Sequence, residues 1–383
     1  MLRCGKPNTT CLIFNYMRLA RCIISSITSH RRDMRQSLRS VPLDLARCHS
    51  SISHIRPFSC AAGSSTVKGK MAPLSQESKN AIERLRRYTP PPTNYYSMPS
   101  TRQASVLLLL FADRRGDLRV ILTIRASTLK SYPGQAALPG GKADGPSETP
   151  FQTARREAYE EIGLPNIDQQ MPSPFWVEHL CELPASLART ELAVRPCIAL
   201  LHSYNEKTGE DADPEEAFIP QLDAKEVAAV FTAPFHNFLK VTDEPRGEGD
   251  DALPGKPSDW YEGSWTQWNS TQWRMHHFFV ATTNQRVATP KKHSKEQDDA
   301  INQLEEEKSS LGLERFRVFG MTARILVDAA RVAYDEEPEF EHNSHLGDED
   351  MISRLRSLGR FSEVVDREDT LTPEIFEKAA KLT

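Results

Sequence analysis

The chain of 383 residues is poor in the features that mark several protein classes. Of its seven cysteines, five (Cys4, Cys11, Cys22, Cys48, Cys60) fall within the first 70 residues. Only Cys181 and Cys197 remain for the body, and no Cys-x-x-Cys pair occurs. A zinc site or a disulfide framework is therefore not expected, and a reducing compartment is the simple reading. Apolar runs are short. The best candidate, ASVLLLLFA at 104–112, falls well below the roughly 18 to 20 residues that span a bilayer, and it reads as a buried strand. No membrane role is expected, and no internal repeat is found.

Acidic residues are scarce at one end only. Residues 1–70 hold 12 Lys/Arg against 2 Asp/Glu and are rich in Arg and Ser. That is the composition of a mitochondrial transit peptide. A disordered tail and an over-extended start, with Met71 as the true beginning, are the competing readings. The remaining residues hold 36 basic and 50 acidic side chains, a net charge of −14. An acidic body argues against nucleic-acid binding, yet it leaves room for a local basic pocket that takes a phosphate-rich small molecule.

Along the body, 71–86 predicts a short helix, stopped by Pro90-Pro91-Pro92. Residues 104–112 and 118–124 predict a hairpin, with strands again at 175–180, 192–200, 227–231 and 273–280. Residues 321–333 have helical periodicity, with Ile325, Ala329 and Val332 on one face. Polar stretches at 203–216, 242–263 and 282–312 read as surface insertions, the last with a solvated helix at 303–309. Residues 336–383 read as an acidic tail with some helical character.

The chemistry concentrates at 140–164, GGKADGPSETPFQTARREAYEEIGL. Its middle predicts a helix with marked ends. Thr149 suits the N-cap, Pro150 the first helical position, and Gln152 completes a capping box. Gly163 is a natural stop. Phe151, Ala154, Ala158 and Ile162 form an apolar stripe that should dock on a sheet. The other side carries Glu157 and Glu161 one turn apart, with Glu160 beside them. Like charges so placed repel by roughly a few tenths of a kcal/mol per pair. Two readings answer that repulsion. Either the face is solvated, with Arg155 and Arg156 as ion-pair partners, or a divalent cation sits among the carboxylates. Such oxygen ligands are those that Mg2+ or Mn2+ prefers.

The segment resembles the Nudix box, in which a Gly precedes a Glu, then seven residues, then Arg-Glu-apolar-x-Glu-Glu-x-Gly-apolar. Here the run is Gly141, Glu148 and Arg156-Glu157-Ala158-Tyr159-Glu160-Glu161-Ile162-Gly163-Leu164. Seven residues separate Glu148 from Arg156, but six rather than five separate Gly141 from Glu148, which leaves the role of Glu148 open. The resemblance implies a metal-dependent hydrolase of diphosphate linkages. Its implied fold is α/β (α+β), a mixed β-sheet sandwiched between α-helices over 99–335. It implies Glu157, Glu160 and Glu161 as ligands of Mg2+ or Mn2+, with the Gly141 carbonyl as another. Arg156 would orient the carboxylates, and Glu160 or Glu161 would serve as base.

Just upstream, 121–141 reads ILTIRASTLKSYPGQAALPGG and resembles a signature of the coenzyme A diphosphatases within the Nudix group. Leu122, Thr123, Arg125, Gly134, Pro139, Gly140 and Gly141 match, while Ala126, Lys130 and Leu138 are conservative departures. The resemblance implies coenzyme A or a related nucleotide diphosphate as substrate, met by Arg125, Lys130, Gly134 and Gly140. For Arg125 and Lys130, an ordinary exposed cation is an equal reading. Val194-Arg195-Pro196, Trp273-Arg274-Met275-His276 and Phe319-Gly320-Met321-Thr322 extend the likeness, especially to fungal peroxisomal members. His276 and His277 are either substrate contacts or exposed strand-end residues. Trp260, Trp265, Trp268 and Trp273 either stack on adenine or anchor a loop, the second being favoured. A peroxisomal location is the alternative to the mitochondrial matrix, although Ala380-Lys381-Leu382 is followed by Thr383. Rival functions are hydrolysis of ADP-ribose or NADH, and non-catalytic nucleotide sensing.

Overall fold

The computed structural model of the protein describes residues 71–126, 134–205, 207–223, 226–243, 256–268, 271–282, 285–289, 315–364 and 370–382. The chain divides between Thr66 and Val67, and every described residue lies in the second unit. The expected targeting segment 1–70, the helix at 303–309 and Lys130 lie outside the described residues.

Ser75 accepts a hydrogen bond from Ser78 N and starts α1 (Gln76–Arg87). Strand β1 (Gln103–Ala112) then turns into β2 (Leu118–Arg125), with the Asp113 carboxylate accepting from Arg115 N and Asp117 N. Two short strands, β3 (Ala136–Ala137) and β4 (Gly140–Lys142), lead into α2 (Pro150–Ile162). β5 (Trp176–Glu182), β6 (Ser186–Ala188), β7 (Leu192–His202) and β8 (Val227–Pro234) complete an eight-stranded sheet of order β3-β2-β1-β7-β5. β4 pairs with β1, β6 with β7 and β8 with β2. β1 and β7 run parallel and the other pairs antiparallel, so the sheet is mixed.

Side chains of β1 alternate between two layers. Leu107, Leu109 and Phe111 pack with Ala154, Ala158 and Ile162 of α2. Leu108 and Leu110 pack with Ala81, Ile82 and Leu85 of α1 and with α3 (Gly320–Tyr334). A strand covered on both faces must be apolar at nearly every position, and that is the origin of the unbroken run at 104–112. The sheet is thus sandwiched between helices, as the sequence implied. A second antiparallel sheet of β9 (Tyr261–Trp268), β10 (Thr271–Ala281) and β11 (Arg315–Phe319) adds Phe278, Val280, Phe316 and Val318 to the α1/α3 layer.

Several segments expected at the surface belong to the fold. Strand β9 begins within the expected insertion 242–263, and Trp260 is buried with its indole N–H donating to Asn237 O at 3.0 Å. Loop anchoring is therefore the correct reading for Trp260. Insertion 203–216 is tied down by Arg114, which pairs with Asp213 and Glu216, and by Arg119, 3.0 Å from Glu215. At 282–312, Ala288 bridges Val230 on the edge of β8. The expected acidic tail carries α4 (Glu349–Ser357) and α5 (Pro373–Ala380). Ile352, Leu355, Phe361, Leu371, Phe376 and Ala379 form a cluster with Tyr95, Met98, Ala185 and Ala193. Two of its acids, Asp348 and Glu349, are structural. Asp348 takes Arg324 Nη1 on both oxygens at 2.9 Å and accepts from Leu187 N at 2.8 Å. Glu349 accepts from Thr93 Oγ1, Asn94 N and Ala185 N. Composition concealed this because acids that close buried pairs count the same as acids in solvent.

Asp348→Ala should therefore cost about 3 to 5 kcal/mol, since it breaks the buried Arg324 pair and leaves only the more distant Asp328 at 4.0 Å. Urea unfolding measures this. A loss below about 1 kcal/mol, the range of surface pairs, would mean that the segment is only loosely attached.

Candidate active site

The sequence signals around α2 act as read. Thr149 Oγ1 accepts from Gln152 N at 3.2 Å, and the Gln152 side chain accepts from Thr149 N at 2.9 Å. Pro150 opens the helix, and Gly163 closes it with φ +71°. With the stripe Ala154, Ala158 and Ile162 locked on the sheet, Arg156, Glu157, Glu160 and Glu161 face the β4 side.

Arg156 is the hub of that face. Its Nε donates to Glu148 Oε1 at 2.8 Å, its Nη1 to Glu157 at 3.0 Å and to Glu160 at 3.2 Å, and its Nη2 to the Lys142 carbonyl at 2.8 Å. Hydrogen bonding to Glu148 raises its pKa further above the usual value, against the effect of burial. Glu148 also accepts from Asp144 N at 2.9 Å. Burial alone would raise the Glu148 carboxyl, but the Arg156 and Asp144 hydrogen bonds outweigh it and hold it below the ordinary range. The extra residue before Glu148 thus does not separate it from the helix. It closes the loop onto Arg156, a contact that spacing alone did not reveal.

The remaining carboxylates press against β4. Glu157 lies over Gly141, where a Cβ would overlap its carboxylate. Burial pushes the Glu157 carboxyl up, against its Arg156 contact. Glu161 accepts from Gly140 N at 3.1 Å and lies 3.9 Å from Arg125 Nη1. Burial pushes Glu161 up to about 7, against the Gly140 hydrogen bond and the Arg125 charge. A Cβ on Gly140 would overlap the Ser105 carbonyl and Val106 Cα on β1, so glycine is required for this close approach. At the end of β2, Arg125 N donates to Gln135 O and Gly134 N to Arg125 O, each at 3.0 Å. Gly134 has φ +69°, a conformation that favours glycine.

The structure therefore brings together Arg156, Glu157, Glu160, Glu161, Gly140, Gly141 and Arg125, with Gly134 at the adjoining turn. Among the described residues, no group of three His, Cys, Asp or Glu side chains is gathered around one point as a ready metal cradle. Arg156 and Gly140 N hold the carboxylates instead. The donor set still fits a hard divalent cation, being all oxygen, and Gly141, having no side chain, lets the Glu157 carboxylate close against β4. His276 is not at this site. It is buried, bonded to Tyr261 and to His342, which in turn bonds Asp328. Burial, together with the nearby His342 and Arg274, pushes it down to about 3, so it stays neutral. His277 stacks on Phe319 at 5.8 Å, and neither histidine is a simply exposed strand end. Trp265 is exposed beneath Arg274, and Trp273 lies under Arg324.

Among the described residues, no helix is long and apolar enough to cross a membrane. Residues 101–180 match the NUDIX domain model. A peroxisomal coenzyme A diphosphatase of Saccharomyces cerevisiae is 32% identical over 74% of this chain and 84% of its own length. The mitochondrial Nudix hydrolase 15 of Arabidopsis thaliana is 31% identical, over 62% of this chain and 61% of its own. A mouse peroxisomal coenzyme A diphosphatase is 34% identical over 33% of this chain and 50% of its own. The chain thus spans about half to three-fifths of the latter two relatives. A solved Nudix hydrolase from M. smegmatis, 21% identical, covers 36% of this chain and 72% of its own with a TM-score of 0.24, too slight to carry an argument. On the motif, the sheet that holds it and the extent of the match to the yeast protein, the chain belongs to the Nudix hydrolase family and groups within it with the coenzyme A diphosphatases.

Proposed function

We propose that the protein hydrolyses the diphosphate bond of coenzyme A and its derivatives, giving 3′,5′-ADP and 4′-phosphopantetheine or its acyl form. The supporting observation is the carboxylate set of α2 seated over Gly141 and joined through Glu161 to Arg125. Glu157, Glu160, Glu161 and the Gly141 carbonyl would hold Mg2+ or Mn2+. When bound, the ion supplies charge neutralisation for the diphosphate and lowers the pKa of a water.

The chain's own groups do the rest. Arg156 keeps Glu157 and Glu160 on one side of the helix and ties both to the loop through Glu148 and Lys142 O. Glu160 and Glu161 are the two candidates for the base that takes the proton of the attacking water. Arg125 offers a planar guanidinium to a phosphate oxygen. Gly140 and Gly134 let the main chain approach, and Lys130 is assigned to phosphate contact by its place in the signature. The proposed location is the mitochondrial matrix, from the composition of 1–70, with the peroxisome as the rival from the yeast and mouse relatives. Imaging with a tag at either end separates the two.

The deciding experiment is a product assay with coenzyme A, its oxidised form and acyl forms, beside ADP-ribose and NADH. Release of 3′,5′-ADP from the coenzyme A series supports the reading. Hydrolysis confined to ADP-ribose or NADH transfers it to the rival substrate class, and metal-dependent binding without product favours a sensor.

Glu161→Gln should lose at least about a hundredfold in kcat. It should also be more stable than the parent at pH 8 without metal. The folded protein holds a proton on Glu161 up to about 7, which the unfolded chain releases near 4.5. Stability from this group is therefore full below about 4.5 and falls as pH rises towards 7, a loss the neutral Gln escapes. The gain should reach roughly 3 kcal/mol at pH 8 and vanish near pH 4. Equal urea midpoints at pH 8 would refute the burial account, and retained turnover would refute the role of Glu161.

The same proton ties metal affinity to pH. Cation binding at pH 6 should release a proton from Glu161 that binding at pH 9 does not, so affinity should rise as pH climbs through about 7. Calorimetry with Mg2+ in two buffers of different ionisation enthalpy reads this directly. An identical heat in both buffers at pH 6 would contradict it.

A further inference from the structure

A cavity of about 390 Å³ lies against the N-terminal end of α2, in the size range of small-molecule sites. One wall is the Nudix-box loop, with Ser147, Glu148 and Thr149. The other is the segment before β1, with Tyr96, Met98, Ser100 and Thr101, closed by Glu363. Its walls are braced. Gln103 Nε2 donates to Tyr95 O at 2.8 Å and Met98 O at 3.0 Å. Thr101 Oγ1 donates to Glu363 O at 3.0 Å, and Arg102 Nε to Ser362 O at 2.8 Å. Ala143 N donates to Gln103 O, and Glu148 N to Gly145 O. The cavity is therefore preformed rather than opened by a ligand.

Its lining carries the carboxylates Glu148 and Glu363 and neither Lys nor Arg. Such a lining offers a phosphate no cation of its own. Serine, threonine and tyrosine hydroxyls with apolar Met98, Pro99 and Pro146 suit instead a neutral, extended ligand bearing amides and hydroxyls. The two ends of the site differ in what they offer. Arg125 stands at the Glu161 end, whereas the cavity at the Glu148 end has no Lys or Arg in its lining. A diphosphate ester held between them would send its nucleotide phosphates towards Arg125 and its uncharged arm towards Glu148.

We infer that this cavity is the subsite for the neutral amide arm of the substrate, the pantetheine portion if coenzyme A is the substrate. The inference rests on the coenzyme A reading above. Ser100→Trp and Thr101→Trp fill the cavity from the wall outside the Nudix box, and Tyr96→Ala removes an exposed rim side chain should neither fold. The probes are pantetheine and 3′,5′-ADP, each as an inhibitor of coenzyme A hydrolysis by the full chain. Pantetheine inhibition should weaken by about tenfold or more in the variants, while 3′,5′-ADP inhibits each as it does the parent. Unchanged pantetheine inhibition beside unchanged 3′,5′-ADP inhibition overturns the subsite and leaves the coenzyme A reading standing. A parent enzyme that fails to hydrolyse coenzyme A overturns both.

Discussion

The guanidinium of Arg156 makes the rest of the site possible. Four carboxylates, Glu148, Glu157, Glu160 and Glu161, approach one stretch of main chain, and without a cation they would drive α2 and β4 apart. Arg156 meets three of them and the Lys142 carbonyl with a single planar group. Lysine would supply the charge but not the fork, because its donors radiate from one point. The fourth carboxylate, Glu161, escapes Arg156 and is left to Gly140 N, a distant Arg125 and burial. Burial lifts Glu161 to about 7 and also raises Glu157 despite its Arg156 contact, whereas at Glu148 the Arg156 and Asp144 hydrogen bonds prevail. A divalent ion entering this cluster would displace hydrogen bonds and a proton rather than fill a set of free ligands.

The sheet dictates where this cluster can form. β1 pairs with β2 at its end, with β4 near its start, and with β7 along the opposite edge. The β2 side of β1 therefore forks, and the short β4 occupies the gap. Glycine is required at 140, where a Cβ would meet the main chain of Ser105 and Val106, while a Cβ at 141 would displace the Glu157 carboxylate. A side chain at 140 would push β4 off β1, and one at 141 would push the Glu157 carboxylate off β4.

Much of this was legible in the chain because it depends on local rules. The ends of α2 follow from Thr149, Pro150, Gln152 and Gly163, and its docking from the spacing of Ala154, Ala158 and Ile162. The two-sided burial of β1 shows in its lack of polar breaks. What escaped reading depends on distant partners. Glu148 gains its role from Arg156 and a loop whose length departs from the pattern. His276 is neutral because it is buried against Tyr261, Phe340 and His342, the last two from a segment that composition marks as solvent-facing. Asp348 and Glu349 look like tail acids until Arg324, Thr93 and Ala185 are placed around them. A strand such as β9, with Gly263 and Ser264 among its aromatic residues, has little apolar alternation and is fixed by pairing with β10.

The match to the family domain spans 101–180, yet that stretch cannot be a folding unit by itself. It contains β1 but not β7, the parallel neighbour of β1 along eight paired positions. It contains Leu108 and Leu110 but neither α1 nor α3, which cover them. It contains Tyr95's partner Ser105 but not the C-terminal cluster in which Tyr95 is buried. The catalytic segment supplies the chemistry, and residues well outside it hold the platform still. The cavity beside Glu148 has the same divided origin, because one wall comes from the Nudix-box loop and the other from segments that precede β1 and follow α4. If the cavity takes the neutral arm of a diphosphate ester, selectivity for that arm can vary in this fold without any change to the carboxylates of α2.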